Sequence, residues 1–128
     1  MEIKLTPRLQ KIAELVPPNS KVADIGTDHG YISIYLLQKG ISSQVIASDI
    51  NKGPLEIARK NIAEYGYSKE VELRLGSGLE VLKPREVNTV IIAGMGGILI
   101  TELLQAVPQV TNGVDTFIFQ PMQAQQEL

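Results

Sequence analysis

The chain's 128 residues, 44% hydrophobic and 20% charged, fit one domain with a proper core and show no disordered or low-complexity tract. The absence of cysteine excludes disulfides and thiolate metal sites, and the single histidine, His29, cannot make a zinc site by itself, so no metal is expected. A formal net charge of −2 lends no support to nucleic-acid binding, no apolar run is long enough to span a bilayer, and the N-terminus MEIKLTPRLQ is not a signal peptide; a cytoplasmic protein without a membrane segment is expected.

The first predicted element is a helix. Thr6 is placed to cap it and Pro7 takes its first position; Leu9, Ile12, Ala13 and Val16 recur at helical spacing until Pro17 and Pro18 stop it. Lys21 to Ile25 reads as a buried strand. Tyr31 to Lys39 reads as a helix with Ile32, Tyr35 and Leu36 on one face and Gly40 as its C-terminal cap. Gln44 to Ser48 is a second strand, with Asp49 at its end. Pro54 opens the next helix, which turns Leu55, Ala58, Ile62 and Tyr65 inward and stops at Gly66. Val71 to Leu75 is a third strand, followed by a short helix around Leu79 to Leu82 that Pro84 ends. Thr89 to Ala93 is a fourth strand, Ile98 to Val107 a helix, Thr116 to Phe119 a fifth strand, and a further helix starts near Gln123.

Alternating strand and helix units with short connections imply an α/β fold, a parallel sheet with helices on both faces, and one domain over residues 1–128. Ligands of such sheets bind outside the carboxyl ends of the strands. That rule selects four glycine-bearing places: Gly26 to Gly30, Asp49 to Gly53, Gly76 to Gly78 and Gly94 to Gly97.

The first of these, Asp24-Ile25-Gly26-Thr27-Asp28-His29-Gly30, departs from the G-x-G-x-x-G of dinucleotide enzymes, because Asp28 stands where the second glycine belongs. A pyrophosphate would meet a carboxylate there, whereas a ligand with an ammonium group is favoured. S-adenosylmethionine carries an ammonium, a carboxylate and a sulfonium, so Asp24 and Asp28 suit it. The alternative is that the glycines only make a turn and the aspartates only cap a helix; His29 taken alone reads as a structural loop residue. Asp49 ends the second strand near the distance, roughly 20 residues on, at which ribose-binding acids occur in related folds. Its carboxylate can accept both ribose hydroxyls, and Asn51 and Lys52 follow on the same loop; the alternative is an Asx-type turn. Ser77, between Gly76 and Gly78, offers a hydroxyl to an adenine or merely fills a turn. Ala93-Gly94-Met95-Gly96-Gly97 follows the fourth strand, and three glycines in four residues let a backbone wrap closely around a flat ligand. Gly94, Met95, Gly96 and Gly97 are therefore candidates for a target-base pocket, with core filling as the alternative for Met95. No single catalytic side chain stands out.

With these loops in place the chain resembles the bacterial TrmK family, the tRNA adenine-N1 methyltransferases that act on adenine 22. The resemblance is carried by Asp24 through Tyr31, by Asp49 with Gly53-Pro54-Leu55, by Arg74-Leu75-Gly76 with Gly78-Leu79, by Ile92 through Gly97, and by Phe119-Gln120-Pro121. It implies a Rossmann-like class I methyltransferase fold, S-adenosylmethionine as cofactor and tRNA as partner. It also implies that Asp24, Gly26, Asp28, His29 and Gly30 from the first loop, Asp49 and Asn51 from the second, Gly76, Ser77 and Gly78 from the third, and Ala93 and Gly94 from the fourth form the cofactor site. Ser77 stands where the family commonly has aspartate, and Met122 where it has asparagine. The family fold continues with two more strands and a helical C-terminal region. A C-terminally truncated cofactor-binding half is thus expected, with tRNA binding dependent on the missing region. Arg8 and Lys11 are spaced to lie on one face of the first helix, with Lys4 preceding them, and are expected to touch tRNA phosphates, an ordinary solvated face being the alternative. Two rival functions remain: a nicotinamide-dependent oxidoreductase, against which Asp28 argues, and a non-catalytic cofactor-binding module.

Overall fold

A computed structural model of the protein describes residues 2–76, 78–95 and 113–121. Helix α1 (Pro7–Glu14) starts where the capping chemistry puts it: Thr6 Oγ1 accepts the Leu9 N–H at 3.4 Å and Pro7 opens the first turn. Its end also has a local cause, since Val16 precedes Pro17 and is barred from helical backbone. Strand β1 (Val22–Ile25) is buried along its whole length. Helix α2 (Tyr31–Gln38) buries Ile32, Ser33, Ile34 and Leu36, a wider face than the predicted stripe. Gly40, at φ 71, closes it: the Gly40 N–H donates to the Leu37 carbonyl and the Ile41 N–H to the Leu36 carbonyl, satisfying two last-turn acceptors.

Strand β2 (Val45–Asp49) leads into helix α3 (Lys52–Glu64), which begins two residues before Pro54. Proline is accommodated there because the first-turn N–H groups lack helical partners anyway. Leu55, Ala58 and Ile62 face inward as predicted, while Tyr65 is only half-buried. Strand β3 (Val71–Leu75) follows, then a single 3-10 turn over Gly78–Val81 in place of the short helix expected around Leu79 to Leu82. Strands β4 (Thr89–Met95) and β5 (Thr116–Pro121) each run two residues past their predicted ends. The predicted helices at Ile98 to Val107 and near Gln123 lie outside the described residues.

The strands form one five-stranded sheet in the order β3-β2-β1-β4-β5, with every neighbouring pair parallel. Chain order reverses between β1 and β4: β2 and β3 extend the sheet one way, β4 and β5 the other. A crevice at the carboxyl ends of the strands is the geometric result. Ile12, Ile34, Leu36, Ala58 and Ile62 of the three helices pack against one sheet face, with Val22, Val45 and Ile91. On the other face Ala23, Ile25, Val90 and Ile92 pack with Leu79, Leu82 and Val87.

Candidate functional site

The loop after β1 leaves the sheet pinned to β2. The N–H groups of Gly26 and Thr27 both donate to the Ser48 carbonyl, at 2.9 and 2.8 Å. The Asp28 N–H donates to Asp49 Oδ2 at 3.2 Å, and the Asn51 N–H donates to Asp49 Oδ1 at 3.0 Å. One buried carboxylate thus ties the loop after β1 to the loop after β2. Asp24 is buried within β1. Thr27 Oγ1 and Ser33 Oγ both donate to its Oδ2, at 2.9 and 2.8 Å. Burial pushes the Asp24 carboxyl above the usual carboxylate range; the two hydroxyls oppose that rise, and the charges of Asp49 and Asp28 add to it.

These loops enclose a cleft of about 330 Å3. It brings together Asp24, Gly26, Asp28, His29, Asp49 and Asn51 from the sequence-predicted set. His29 Nδ1 lies 2.9 Å from Asp28 Oδ2, and its ring stacks on Tyr31 with centroids 5.2 Å apart. The His29 carbonyl accepts from Asn61 Nδ2 at 2.9 Å, which fixes the loop to α3.

The other predicted residues have different surroundings. Gly30 is not among the cleft-lining residues. It is the N-cap of α2, at φ 79, and a Cβ there would meet Ala58 Cβ and Ile62 Cδ1 of α3 at 3.3 Å, so α3 packs closely against it. Gly76 donates its N–H to the Asp49 carbonyl at 3.0 Å and lines a separate open recess with Arg74, Leu75, Glu80 and Val81. A Cβ on Gly76 would lie 2.5 Å from Val81 Cγ1. Gly78 opens the 3-10 turn. Ala93, Gly94 and Met95 form the carboxyl end of β4, with a register irregularity against β5 between Ala93 and Met95. Ser77, Gly96, Gly97 and Met122 lie outside the described residues.

Sequence reasoning missed Thr27, Tyr31, Ile32, Pro54 and, from α1, Arg8 and Leu9, all of which line the cleft. It also missed Ser33, although a hydroxyl inside the apolar run Ile32 to Leu37 was a usable signal. Of the two residues expected to form the phosphate-contacting face of α1, Arg8 lines the cleft and Lys11 does not. Away from the cleft, the Arg74 guanidinium grips both oxygens of Glu86 at 2.7 and 2.6 Å, and also reaches the Val81 carbonyl and Glu72. That guanidinium holds the Glu86 carboxyl down to about 2. Among the described residues no group of His, Cys, Asp and Glu side chains is arranged to hold a metal ion.

A parallel sheet of this order, with a glycine loop after β1 and an acid ending β2, defines a nucleoside-cofactor fold. The chain belongs to the methyltransferase domain family, whose model matches residues 5–128. It is similar to the tRNA (adenine(22)-N(1))-methyltransferase of Bacillus subtilis, with 39% identity over 120 residues that cover 94% of this chain and 50% of that protein. The solved structure of Bacillus subtilis TrmK superposes with a TM-score of 0.85 at 37% identity, covering 94% of this chain and 51% of the other. Streptococcus pneumoniae Sp1610 in complex with S-adenosyl-L-methionine gives 0.90 at 31% identity, covering 98% and 59%. The chain spans about half the length of the curated relatives it matches most extensively.

Proposed function

We propose that this chain is the cofactor-binding half of an S-adenosylmethionine-dependent methyltransferase, and that the whole protein methylates N1 of adenine 22 in tRNA. The observation that carries the reading is the charge of the cleft. Asp24, Asp28 and Asp49 line it together. Their field opposes a pyrophosphate and favours a ligand bearing an ammonium and a sulfonium. When bound, S-adenosylmethionine supplies a methyl group activated by its sulfonium.

The residues of the cleft fit that ligand. Each Asp49 oxygen accepts one backbone N–H and keeps a lone pair, which suits the two ribose hydroxyls. Asp24 and Asp28 attract the cationic end. Gly94, at the end of β4, leaves main-chain groups room to approach both cofactor and target base. No side chain has to remove a proton, because adenine N1 already carries a lone pair; the chain's task is to align it with the methyl group. A carboxylate or oriented carbonyl at these loops stabilises the positive charge that develops on the base. An amino-methylating enzyme needs an Asn/Asp-Pro-Pro-aromatic motif after β4, which Gly94 to Gly97 does not supply.

tRNA engagement, in this reading, draws on the half of the whole protein that the chain does not span. The reading also places the protein in the cytoplasm; among the described residues no helix is long and apolar enough to cross a membrane. The deciding experiment incubates full-length protein with labelled S-adenosylmethionine and bulk tRNA, then maps the modified nucleoside. Methylation at N1 of adenine 22 is expected. Label on the exocyclic amino group would overturn the base assignment, and no transfer to any tRNA would leave a non-catalytic cofactor-binding module.

A further inference from the structure

The cleft holds one permanent cation among its described lining residues, Arg8 of α1. Every carboxylate around it already has partners. Asp24 accepts from Thr27 and Ser33, Asp28 faces His29 Nδ1, and Asp49 accepts from two backbone N–H groups. Among the described residues Arg8 joins none of the ion pairs, although three acids line the same cleft. Packing rather than charge fixes its position. α1 is held by its buried Ile12 and Ala13, and Gln10 Nε2 donates to the Tyr35 hydroxyl at 2.9 Å. The Ile3 N–H donates to Gln38 Oε1 at 2.7 Å, which holds the segment before α1 against the end of α2. The start of α2, which also lines the cleft through Tyr31 and Ile32, has no side-chain cap on its first-turn N–H groups.

An acidic cleft balances the cationic groups of a zwitterion and leaves its carboxylate in need of a counter-charge. A guanidinium fork beside an uncapped helix N-terminus supplies one. We infer that Arg8 receives the carboxylate of the cofactor's amino-acid end, and so selects adenosyl ligands that carry this carboxylate over those that lack it. The inference rests on the proposed reading of the cleft as an S-adenosylmethionine site. It reassigns Arg8 from a phosphate-contacting face to the cofactor.

The test is calorimetric titration of the full-length protein and its Arg8→Met and Arg8→Lys variants with two probes, S-adenosylmethionine and its decarboxylated form. Arg8 is exposed, so neither substitution threatens the fold; thermal unfolding of each variant checks that. Arg8→Met should weaken S-adenosylmethionine about tenfold or more, in line with the loss of a charge-assisted pair, and leave the decarboxylated probe within about twofold. Arg8→Lys should recover part of the loss, since an ammonium keeps the charge without the fork. Equal weakening of both probes would overturn the inference by marking Arg8 as structural. Unchanged affinity for both would return Arg8 to the tRNA face. A folded parent that binds neither probe would overturn the cofactor reading itself, which is a different result from either.

Discussion

Asp49 does two jobs with one carboxylate. It joins neighbouring loops through the N–H groups of Asp28 and Asn51, and on the proposed reading it also accepts the ribose hydroxyls. Asp49→Ala removes both, so affinity for S-adenosylmethionine should fall at least tenfold, from contacts worth about 1.5–3 kcal/mol each. Calorimetry showing parent-like affinity would refute the assignment. Gly30 carries a different expectation. The left-handed backbone penalty for a non-glycine residue, about 1–2 kcal/mol, applies to both Gly30→Ala and Gly40→Ala. At Gly40 a Cβ has open space, whereas at Gly30 it presses on Ala58 and Ile62 at 3.3 Å. Urea unfolding should therefore rank Gly30→Ala as clearly the more destabilising, and equal losses would show that α2 and α3 yield without cost. The family resemblance places Gly30 with the ligand residues, and the packing of α3 gives the same glycine a second use. Spacing cannot separate a glycine that admits a ligand from one that admits a neighbouring helix.

At the scale of elements, the Arg74–Glu86 pair clamps β3 to the loop that enters β4. Its contribution has a defined pH window. Glu86 is held at about 2 against an ordinary 4.5, so the pair stabilises fully above pH 4.5 and loses its effect as pH falls towards 2. Glu86→Gln should cost about 1–3 kcal/mol at pH 7, and the gap to the parent should narrow at pH 3. Denaturation curves separated equally at both pH values would count against this account. Nothing local announces the pair, because the partners meet only when the turn after β3 folds back. The helix ends were legible for the opposite reason: Thr6, Pro7, Gly40 and Gly66 act on backbone groups within a few residues of themselves. The start of α3 was misplaced at Pro54 because proline is equally at home anywhere in a first turn, and Asn51 takes the extended cap position without a side-chain bond. The 3-10 turn was read as a helix because Leu79 and Leu82 share helical and 3-10 spacing alike.

At the scale of the whole molecule, the sheet and the position of its cleft followed from the alternation of β-rich and helical runs. The Gly26 to Gly30 loop and Asp49 identified the cleft's floor. Its α1 wall was not legible, since no spacing rule says that a helix preceding β1 returns to the carboxyl ends of the strands. The acidity of that cleft predicts its ligand preference. S-adenosylmethionine at 100 times its Kd should stabilise the chain by about 2.7 kcal/mol, a melting shift of several degrees. Nicotinamide dinucleotide should give none, and a shift with the dinucleotide alone would favour an oxidoreductase. The strand order β3-β2-β1-β4-β5 also has a consequence in time. Val22 and Ile25 of β1 are made early, yet their partners on one side, Thr89 and Ile92 of β4, are made late. At a synthesis rate of about 5–20 residues per second, one edge of the central strand stands open for several seconds. A ribosome stalled after β3 has left its exit tunnel, but before β4 has, would display a half-sheet whose inner strand is an edge, open to chaperones and to other nascent chains. Once β4 has emerged, that edge closes.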